Sequence, residues 1–481
     1  MATQCTTPSF AFQPLRQRDV VARFDGGTIT SDGGGLLLGA TDRRLHLLER
    51  FAACFTDYRD PDAIEHTVAE LVRQRVFGLA LGYEDLNDHD RLRLDPLLAT
   101  LVGKADPTGA DRLRKQDQGK PLAGKSTLNR LELTPAEADA GSRYKKIVYH
   151  PERVDRLFVD VFLEAHATPP ACVVLDLDAT DDPLHGHQEG RFFHGYYREY
   201  CYLPLYIFCG HHLLGARLRT ADHDAAWGTV AELERLVAQI RAAWPQVRIL
   251  IRADSGFCRE EIMAWCEGHG VDYLLGLAKN CRLVEMLEPA LAEAHARYLA
   301  TGVAARVFVD LRYQTRESWS RERRVVGKAE YLKQGPNPRF VVTSLAVDQR
   351  AAQPLYEEDY CGRGDMENRI KEQQLWLFAD RLSTETLRAN QLRLYFASVA
   401  YVLLEGLRRL GLPETPLAQA QCGTIRQHLL KIGALVRVTV RKVWVSLSSA
   451  YPLQEVFARV WAKLQRMVPA GTSEPLGEGV T

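Results

Sequence analysis

The sequence predicts an α/β protein with a mixed sheet, preceded by a mostly helical region. In the first 165 residues, apolar residues recur at helical spacing, as in DAIEHTVAELVRQRVFGLALG. From about residue 170, three successive strands are predicted, in ACVVLDLDAT, REYCYLPLYIFCG and HHLLGARLRT. Strand–helix alternation then continues through DAAWGTVAELERLVAQIRAAW, RILIRAD, CREEIMAWCEGHG and VDYLLGLA. A meander that passes into such alternation indicates antiparallel strands leading into parallel ones.

The remaining chain divides by its pattern into four further regions. Residues 281–340 contain ARVFVDLRY, ERRVVGKAEYL and RFVVTSL, which predict a small β-rich insertion into the core begun by residues 166–280. Residues 341–412 hold the helices GDMENRIKEQQLWLF and ANQLRLYFASVAYVLLEGLRRL, which complete that core. Residues 413–468 form a basic α+β region in which LVRVTVRKVWVSL predicts a strand or hairpin. The tail, 469–481, is predicted to be disordered.

The composition is that of an ordinary globular protein. Of 481 residues, 46% are hydrophobic and 25% charged. No run approaches the roughly 18 consecutive apolar residues of a membrane helix, and the N-terminus has no signal-peptide pattern. The ten cysteines are scattered without a CxxC pair, which indicates a reduced, cytoplasmic setting.

Positive charge is concentrated although the formal net charge is zero. Residues 104–130 carry seven Lys/Arg against three Asp, and residues 312–339 carry eight against three Glu. Residues 421–468 carry eight against one Glu. Three such tracts can form the footprint of a polyanion such as DNA, although any one of them alone is better explained as a solvated face. The candidate DNA-binding residues in them are Lys120, Lys125, Arg130, Trp319, Arg323, Arg324, Arg437, Arg441 and Lys442.

Acidic residues end three core elements. Period-two alternation places Asp176 and Asp178 on one face of their strand, Asp254 ends a second strand, and Glu367 lies in an amphipathic helix. Carboxylates brought together at one sheet edge can hold two Mg²⁺ ions for phosphodiester chemistry. Asp254 could instead cap a turn, and Glu367 could form a surface pair with Lys371.

Two other motifs point to sites that the sequence context disfavours. GKPLAGKST, residues 119–127, fits the P-loop pattern, but the segment before it is polar and contains no strand, so an ATP site is not expected. Its lysines and helix N-terminus suit an anion, for which we expect a DNA phosphate. Five histidines between His185 and His212 lack cysteine partners at zinc-finger spacing, so zinc is not expected.

Several stretches together resemble one family. They are FDGGTITSDGGGLLL, YRDPDAIEHTVAELVRQRVFGLALGYEDLNDHDRLRLDP, GKPLAGKSTLNRLE, LDLDATDDPLHGHQEG, RADSGF, RGDMENRIKE and LKIGALVRV. Over roughly residues 20–468 the chain resembles bacterial insertion-sequence transposases of the DDE type. It resembles specifically the insertion-sequence thirteen-eighty family, also described as DDE transposase domain group one.

The resemblance implies an RNase H-like catalytic domain whose metal-holding catalytic residues are Asp178, Asp254 and Glu367. Asp176 is the rival for the first position, because it shares the strand face. Tyr360 and Arg363 complete the signature tyrosine-x2-arginine-x3-glutamate. Arg363 is expected to flank the DNA phosphates, and Tyr360 to order the helix start or contact DNA. The lysine that continues this signature, seven residues after the glutamate, is here Gln374. Lys371 is the nearest lysine and is predicted to contact a phosphate, although it lies four residues after the glutamate instead of seven.

The resemblance also implies an activity. The chain would bind the terminal inverted repeats of its own element, cleave the ends with two Mg²⁺ ions (Mn²⁺ substituting) and no ATP, and join the 3′-hydroxyls to target DNA. It would act as a homodimer in a synaptic complex, in the cytoplasm at the nucleoid. The alternatives are a metal-dependent nuclease without strand transfer and a transposase-derived DNA-binding protein with an inactive site.

Overall fold

A computed structural model describes residues 8–466. The predicted disordered tail therefore lies outside the described residues. The N-terminal region contains strands β1 (Ser9–Leu15), β2 (Arg18–Arg23), β3 (Ile29–Thr30), β4 (Phe55–Asp57) and β5 (Ile147–Tyr149), and helices α1 (Leu36–Leu45), α2 (Leu47–Ala52), α3 (Val68–Leu81), α4 (His89–Leu92), α5 (Pro96–Val102), α6 (Lys125–Glu132) and α7 (Pro151–Glu164). This region is mostly helical, as predicted, with an added exposed hairpin formed by β1 and β2.

The central region supplies most of the main sheet. Its strands are β6 (Cys172–Ala179), β7 (Asp182–Pro183), β8 (Phe192–His194), β9 (Glu199–Tyr202), β10 (Leu205–Cys209), β11 (His212–Arg217), β12 (Arg248–Ala253) and β13 (Asp272–Leu277), and its helices are α8 (Thr229–Ala243) and α9 (Glu260–Gly268). The predicted strand REYCYLPLYIFCG is divided between β9 and β10. β9 joins β7 and β8 in a separate three-stranded sheet, whereas β10 belongs to the main one.

The last part of the described chain completes the sheet and covers it. It contains α10 (Cys281–Thr301), β14 (Ala305–Tyr313), β15 (Arg323–Leu332), β16 (Gly335–Pro336), β17 (Arg339–Thr343), α11 (Ala352–Pro354), α12 (Gly364–Lys371), α13 (Leu387–Gly411), α14 (Cys422–Ile425), β18 (Ala434–Val438), β19 (Val443–Leu447) and α15 (Gln454–Arg466). β18 and β19 form the hairpin predicted near the C-terminus.

The main sheet is mixed, in the order β11-β10-β6-β12-β13-β17-β15-β14, with β16 beside β15. β10 runs antiparallel to both β11 and β6, whereas β6, β12 and β13 are parallel. The predicted passage from an antiparallel meander to parallel strands is thus present, and it gathers the carboxyl ends of β6 and β12 at one edge.

The segment 281–340 differs from its prediction. Its first third is the 21-residue helix α10, which contains Pro289 and packs apolar residues against β14 and β15. The strands that follow do not form a sheet of their own, because β17 pairs antiparallel with β13 and extends the main sheet. Strand patterning alone does not reveal which sheet a strand joins, since pairing depends on distant residues.

Two apolar layers cover the sheet. On one face, α8 and α9 pack on inward residues of β6, β12 and β13, and α10 packs on β14 and β15. On the other, α13 packs on β10 and β11 and also contacts α1 and α3. This 25-residue helix is capped by Thr386, whose side chain accepts a hydrogen bond from the Ala389 amide. The helix is buried along most of its length and joins the N-terminal region to the sheet.

Two buried histidines predict a loss of stability in acid. Burial, assisted by neighbouring arginines, lowers the pKa of both His66 and His89 to about 3. Below pH 6.5 the unfolded chain binds protons that the folded chain does not, so the free energy of unfolding falls as the pH drops toward 3. The expected loss is up to about 1.4 kcal/mol per pH unit for each histidine.

Urea unfolding between pH 7.5 and 5 measures this slope. His89→Gln is expected to flatten it, whereas the same change at the exposed His185 leaves it as it was. Equal slopes in the wild type and His89→Gln would contradict the assignment.

Candidate functional site

The first two acidic residues lie on one face of β6. In the register of β6 with β10, Asp176 is opposite Phe208 and Asp178 is opposite Tyr206. Both aromatic residues belong to the apolar layer beneath α13. The period-two prediction therefore holds, and the two carboxylates share the face that α12 and α13 cover.

Asp254 directly follows the last residue of β12, which is parallel to β6. Its Oδ1 accepts the backbone N–H of Gly256 at 2.8 Å and caps the short turn Ser255–Phe257. Within residues 8–466, no hydrogen bond engages its Oδ2. The cap predicted as an alternative role is real, and it orients the carboxylate while leaving one oxygen free for a ligand.

Arg363 connects the other two carboxylates. It lies one helical turn before Glu367 and donates from Nη1 to Asp178 Oδ2 at 3.2 Å and from Nη2 to Glu367 Oε1 at 3.3 Å. The Asp178 and Arg363 side chains are 17% and 16% exposed, whereas that of Glu367 is 50% exposed. The site is therefore closed on the sheet side and open toward solvent on the side of α12.

The three carboxylates influence one another electrostatically. Burial, opposed by Arg363 and reinforced by the charges of Asp254 and Glu367, raises the pKa of Asp178 to about 6. Burial opposes the charge on Arg363, yet Asp178, Tyr360, Asp254 and Glu367 together raise its pKa. Asp178 and Glu367 share one guanidinium here, so this pair of carboxylates carries an excess of negative charge.

The donor set suits a hard cation. Carboxylate oxygens are the ligands that Mg²⁺ and Mn²⁺ prefer, and the excess of negative charge would be relieved by a divalent ion. Within residues 8–466, no three Asp, Glu, His or Cys side chains stand already grouped for a metal ion, including the histidines near His185. Arg363 occupies the space between Asp178 and Glu367 in this arrangement.

Asp176, the rival for the first position, is engaged elsewhere. Its two oxygens accept hydrogen bonds from Arg252 Nε and Nη2 at 2.6 and 2.8 Å. Arg252 also donates to the carbonyl oxygen of Asp359, just before the helical segment that carries Arg363. Asp176 is 4% exposed. The pair joins β6, β12 and this segment, which is a structural role.

Gln374, where the signature has lysine, also makes structural contacts. Its Nε2 donates to Asp182 Oδ1 at 3.0 Å and to the Asp181 carbonyl at 3.1 Å. Asp182 is fully buried, and burial raises its pKa strongly. Gln374 therefore ties the end of the Glu367 helix to the loop that follows Asp178. Lys371 is exposed.

Gln374→Ala removes the amide that satisfies buried Asp182. We expect a loss of about 1–3 kcal/mol in the free energy of unfolding, because a buried acceptor is left without a partner. The matched control is Lys371→Ala, an exposed position one turn earlier, expected to lie within about 0.5 kcal/mol of the wild type. Urea unfolding of both variants measures the two free energies of unfolding. Equal losses in the two variants would contradict a stabilising Gln374–Asp182 hydrogen bond.

A cavity of about 350 Å³ opens beside Asp254. Tyr360, Lys279 and Arg339 line it together with Asp254. The Tyr360 hydroxyl packs so closely on β13 that a Cβ at Gly276 would lie 2.5 Å from it. Sequence reasoning missed Lys279 and Arg339. Lys279 follows the end of β13 and could have been found from its place in the strand order, whereas Arg339 comes near only because β17 pairs with β13.

The basic residues predicted to contact DNA have different surroundings. Arg130, Arg437, Arg441 and Lys442 are exposed. Lys120 donates to the Gln116 carbonyl, and Lys125 donates from its Nζ to Asn87. The backbone N–H of Lys125 at the start of α6 donates to Asp90 Oδ1 at 3.1 Å, so an internal carboxylate already occupies the predicted anion position.

The aromatic and basic residues predicted in the second tract are buried. Trp319 is 6% exposed and packs edge-on against Tyr313. Its ring therefore offers no exposed face on which a base could stack. Arg323 forms ion pairs with Glu260 and Glu267, and Arg324 with Asp310. Because Trp319 is buried and the charges of Arg323 and Arg324 are neutralised inside the protein, we do not retain these three residues as DNA contacts.

Comparison with known proteins gives a family and one remote structural likeness. The family model described as "Transposase DDE domain group 1" matches residues 12–469. No curated protein matches. Among solved structures, the chain is similar to the piggyBac transposase in a synaptic complex with hairpin DNA, at 10% identity and a TM-score of 0.37. That alignment covers 92% of this chain and 87% of the other. No helix within residues 8–466 has the length and apolarity to cross a membrane.

Proposed function

Because the chain belongs to the Transposase DDE domain group 1 family, whose members process DNA, we propose that it is the transposase of a bacterial insertion sequence. The resemblance of its motifs to the insertion-sequence thirteen-eighty family refines this proposal. It would act in the cytoplasm, at the nucleoid, on the terminal inverted repeats of its own element. The observation that carries the proposal is that Arg363 donates to both Asp178 and Glu367, while Asp254 follows the end of β12, the strand parallel to β6.

The strand order supports an RNase H-like core. The first five strands of the main sheet follow the order β11-β10-β6-β12-β13, with an antiparallel meander followed by two parallel strands. In this arrangement the ends of β6 and β12 converge, which is where Asp178 and Asp254 lie. The helix α12 then adds Glu367 from the covering layer.

Asp178, Asp254 and Glu367 would hold the divalent ions, which we propose to be two Mg²⁺ replaceable by Mn²⁺. Such ions, when bound, supply Lewis acidity and activate a hydroxyl for attack on phosphorus. The cap at Gly256 fixes the Asp254 carboxylate, and the Asp176–Arg252 pair fixes β6 against β12. Arg363 is placed to exchange its carboxylate contacts for a DNA phosphate, which would free both acids for the ions.

The DNA would enter across the open side of the site. Lys279 and Arg339, in the cavity beside Asp254, are placed to contact backbone phosphates near the cleaved bond. The exposed residues Arg130, Lys371 and those of the β18–β19 hairpin would extend that contact along the inverted repeat. Two copies of the chain would pair two ends before joining them to target DNA.

Removing the two cations of the cavity tests this path. Lys279→Ala combined with Arg339→Ala should weaken binding to the element end. It should also reduce the slope of log K against log salt by about 1–2, since each phosphate contact contributes roughly 0.9. The control is Arg248→Ala, an exposed arginine at the opposite end of β12. Salt slopes measured by fluorescence anisotropy that stay unchanged in the double variant would contradict the path.

One reaction distinguishes the possible activities. The DNA ends that flank the coding sequence are labelled and incubated with the protein, Mg²⁺ or Mn²⁺, and a target plasmid. Cleavage followed by a covalent joint with the plasmid is the expected result. Cleavage without joining would favour a nuclease, and binding without cleavage would favour a DNA-binding protein with an inactive site.

A further inference from the structure

The small sheet formed by β7, β9 and β8 is separate from the main sheet and begins close to the candidate site in the chain. β7 begins at Asp182, only four residues after Asp178, and pairs with β9. β9 pairs in turn with β8, so that Phe193 lies opposite Tyr200. Residues 191–200, with the sequence RFFHGYYREY, form the outer part of this sheet and are here named the aromatic hairpin.

The aromatic hairpin exposes an unusual amount of apolar surface. Phe192 and Phe193 are each 49% exposed, Tyr200 is 45% exposed, and Tyr196 in the turn is 83% exposed. The rings are organised, because Phe193 and Tyr200 pack edge to face at 5.5 Å and Arg191 lies 4.6 Å over the Tyr200 ring. An exposed cluster of large aromatic side chains marks an interaction surface, since burying it elsewhere would stabilise the fold.

The base of the hairpin is firmly anchored, in contrast to its outer part. Cys201 and Tyr202 are fully buried, and the Leu184 amide donates to the Tyr200 carbonyl at 2.8 Å. The preceding loop is also held, because the Leu387 amide at the start of α13 donates to Glu189 Oε2 at 2.9 Å. The exposed rings are therefore presented from a fixed platform.

The hairpin also adjoins the carboxylates. The short segment between Asp178 and β7 lies against the chain that follows β9, because the Thr180 amide donates to the Pro204 carbonyl at 3.4 Å. The Gln374–Asp182 contact fixes β7 to the end of the Glu367 helix. The surface is thus continuous with the edge at which the DNA backbone would be cut, and Arg191 and Arg198 supply charge complementary to phosphate.

We propose that the aromatic hairpin binds unpaired nucleotides of the DNA end beside the cleaved bond, by stacking bases on Phe192, Phe193 and Tyr196. This rests on the proposed function. Aromatic faces stack on any base, and a guanidinium nearby adds attraction to the phosphate, so the partner is single-stranded or locally unpaired DNA. Holding the displaced bases would keep the cleaved strand away from its complement.

The test compares two versions of the element end in metal-free buffer, where no cleavage occurs. One is fully paired, and the other has three unpaired nucleotides at the junction with flanking DNA. The variant carries Phe192→Leu, Phe193→Leu and Tyr196→Ser, which remove the rings but keep apolar residues in β8. The control is Phe12→Leu, an aromatic residue 61% exposed on the separate hairpin of β1 and β2.

The wild type and the control are expected to bind the unpaired end about tenfold more tightly than the paired end, which corresponds to one stacked base. The variant should bind both ends within about twofold of each other and retain the wild-type affinity for the paired end. Quenching of 2-aminopurine placed in the unpaired segment should likewise be lost. An unchanged melting temperature establishes that the variant is folded.

Two results would overturn the inference while leaving the proposed function intact. One is an undiminished preference for unpaired ends in the variant. The other is a DNA-independent change in oligomeric state with that preference retained, which would assign the surface to a second copy of the chain. Failure of the wild type to bind or cleave paired ends would instead refute the proposed function, and this inference with it.

Discussion

Asp254→Asn is expected to reduce the rate of DNA cleavage by at least about 10³-fold, equivalent to roughly 4 kcal/mol of transition-state stabilisation. The amide can still accept the Gly256 N–H, so the turn after β12 is kept. What is lost is one negative charge at the edge where Asp178 and Glu367 also lie. Single-turnover cleavage of a labelled element end measures the effect.

The binding control separates chemistry from recognition. Asp254→Asn should bind the element end at least as tightly as the wild type, because removing a carboxylate near the DNA backbone reduces repulsion. Asp178→Asn and Glu367→Gln should show the same combination of retained binding and lost cleavage. A variant of any of the three that cleaves at the wild-type rate would remove that residue from the proposed site.

Arg252→Met is expected to lower the free energy of unfolding by about 3–5 kcal/mol. The change leaves Asp176 buried and without the guanidinium that satisfies both its oxygens. Breaking one side of a buried ion pair is costly in this range, whereas replacing both partners is often nearly neutral. The double variant Arg252→Met/Asp176→Leu should therefore recover most of the loss in urea unfolding.

The Asp176–Arg252 ion pair also predicts that Asp176 and Asp178 have different roles in cleavage. At a temperature where both variants are folded, Asp176→Asn should retain cleavage within about tenfold of the wild type, and Asp178→Asn should not. A destabilised but active Asp176→Asn protein is the outcome expected of a structural residue. Loss of cleavage in a fully folded Asp176→Asn protein would reopen the choice between the two.

Local patterns in the sequence predicted much of the fold. Alternation in VVLDLDA placed Asp176 and Asp178 on one face, and the helical periodicity of α3 and α13 matches the helices observed. Long-range pairing was beyond such patterns. No local sequence pattern near β17 indicates that it pairs with β13. One predicted strand is divided into β9 and β10 because its two halves pair with strands of different sheets.

The carboxylates of the candidate site were proposed from the sequence, whereas their supporting contacts were not. Asp178 and Asp254 stand out because they lie at strand ends, and all three carboxylates, including Glu367 inside its helix, fit a known signature. The roles of Arg252 and Gln374 depend on neighbours 76 and 192 residues away in the chain, and no spacing rule reveals these. The burial of Trp319, Arg323 and Arg324 could not be predicted either. A basic, aromatic segment has the same sequence pattern whether its charges face DNA or internal carboxylates.

The central claim is that Asp178, Asp254 and Glu367 act together in holding divalent ions at the DNA end. Its most direct test is a Mn²⁺ titration followed by electron paramagnetic resonance, with element-end DNA present. The wild-type protein should take up about two Mn²⁺ per chain beyond those bound by DNA alone, as a two-ion site requires. The triple variant Asp178→Asn, Asp254→Asn, Glu367→Gln should take up none. Equal uptake by the two proteins would contradict the claim.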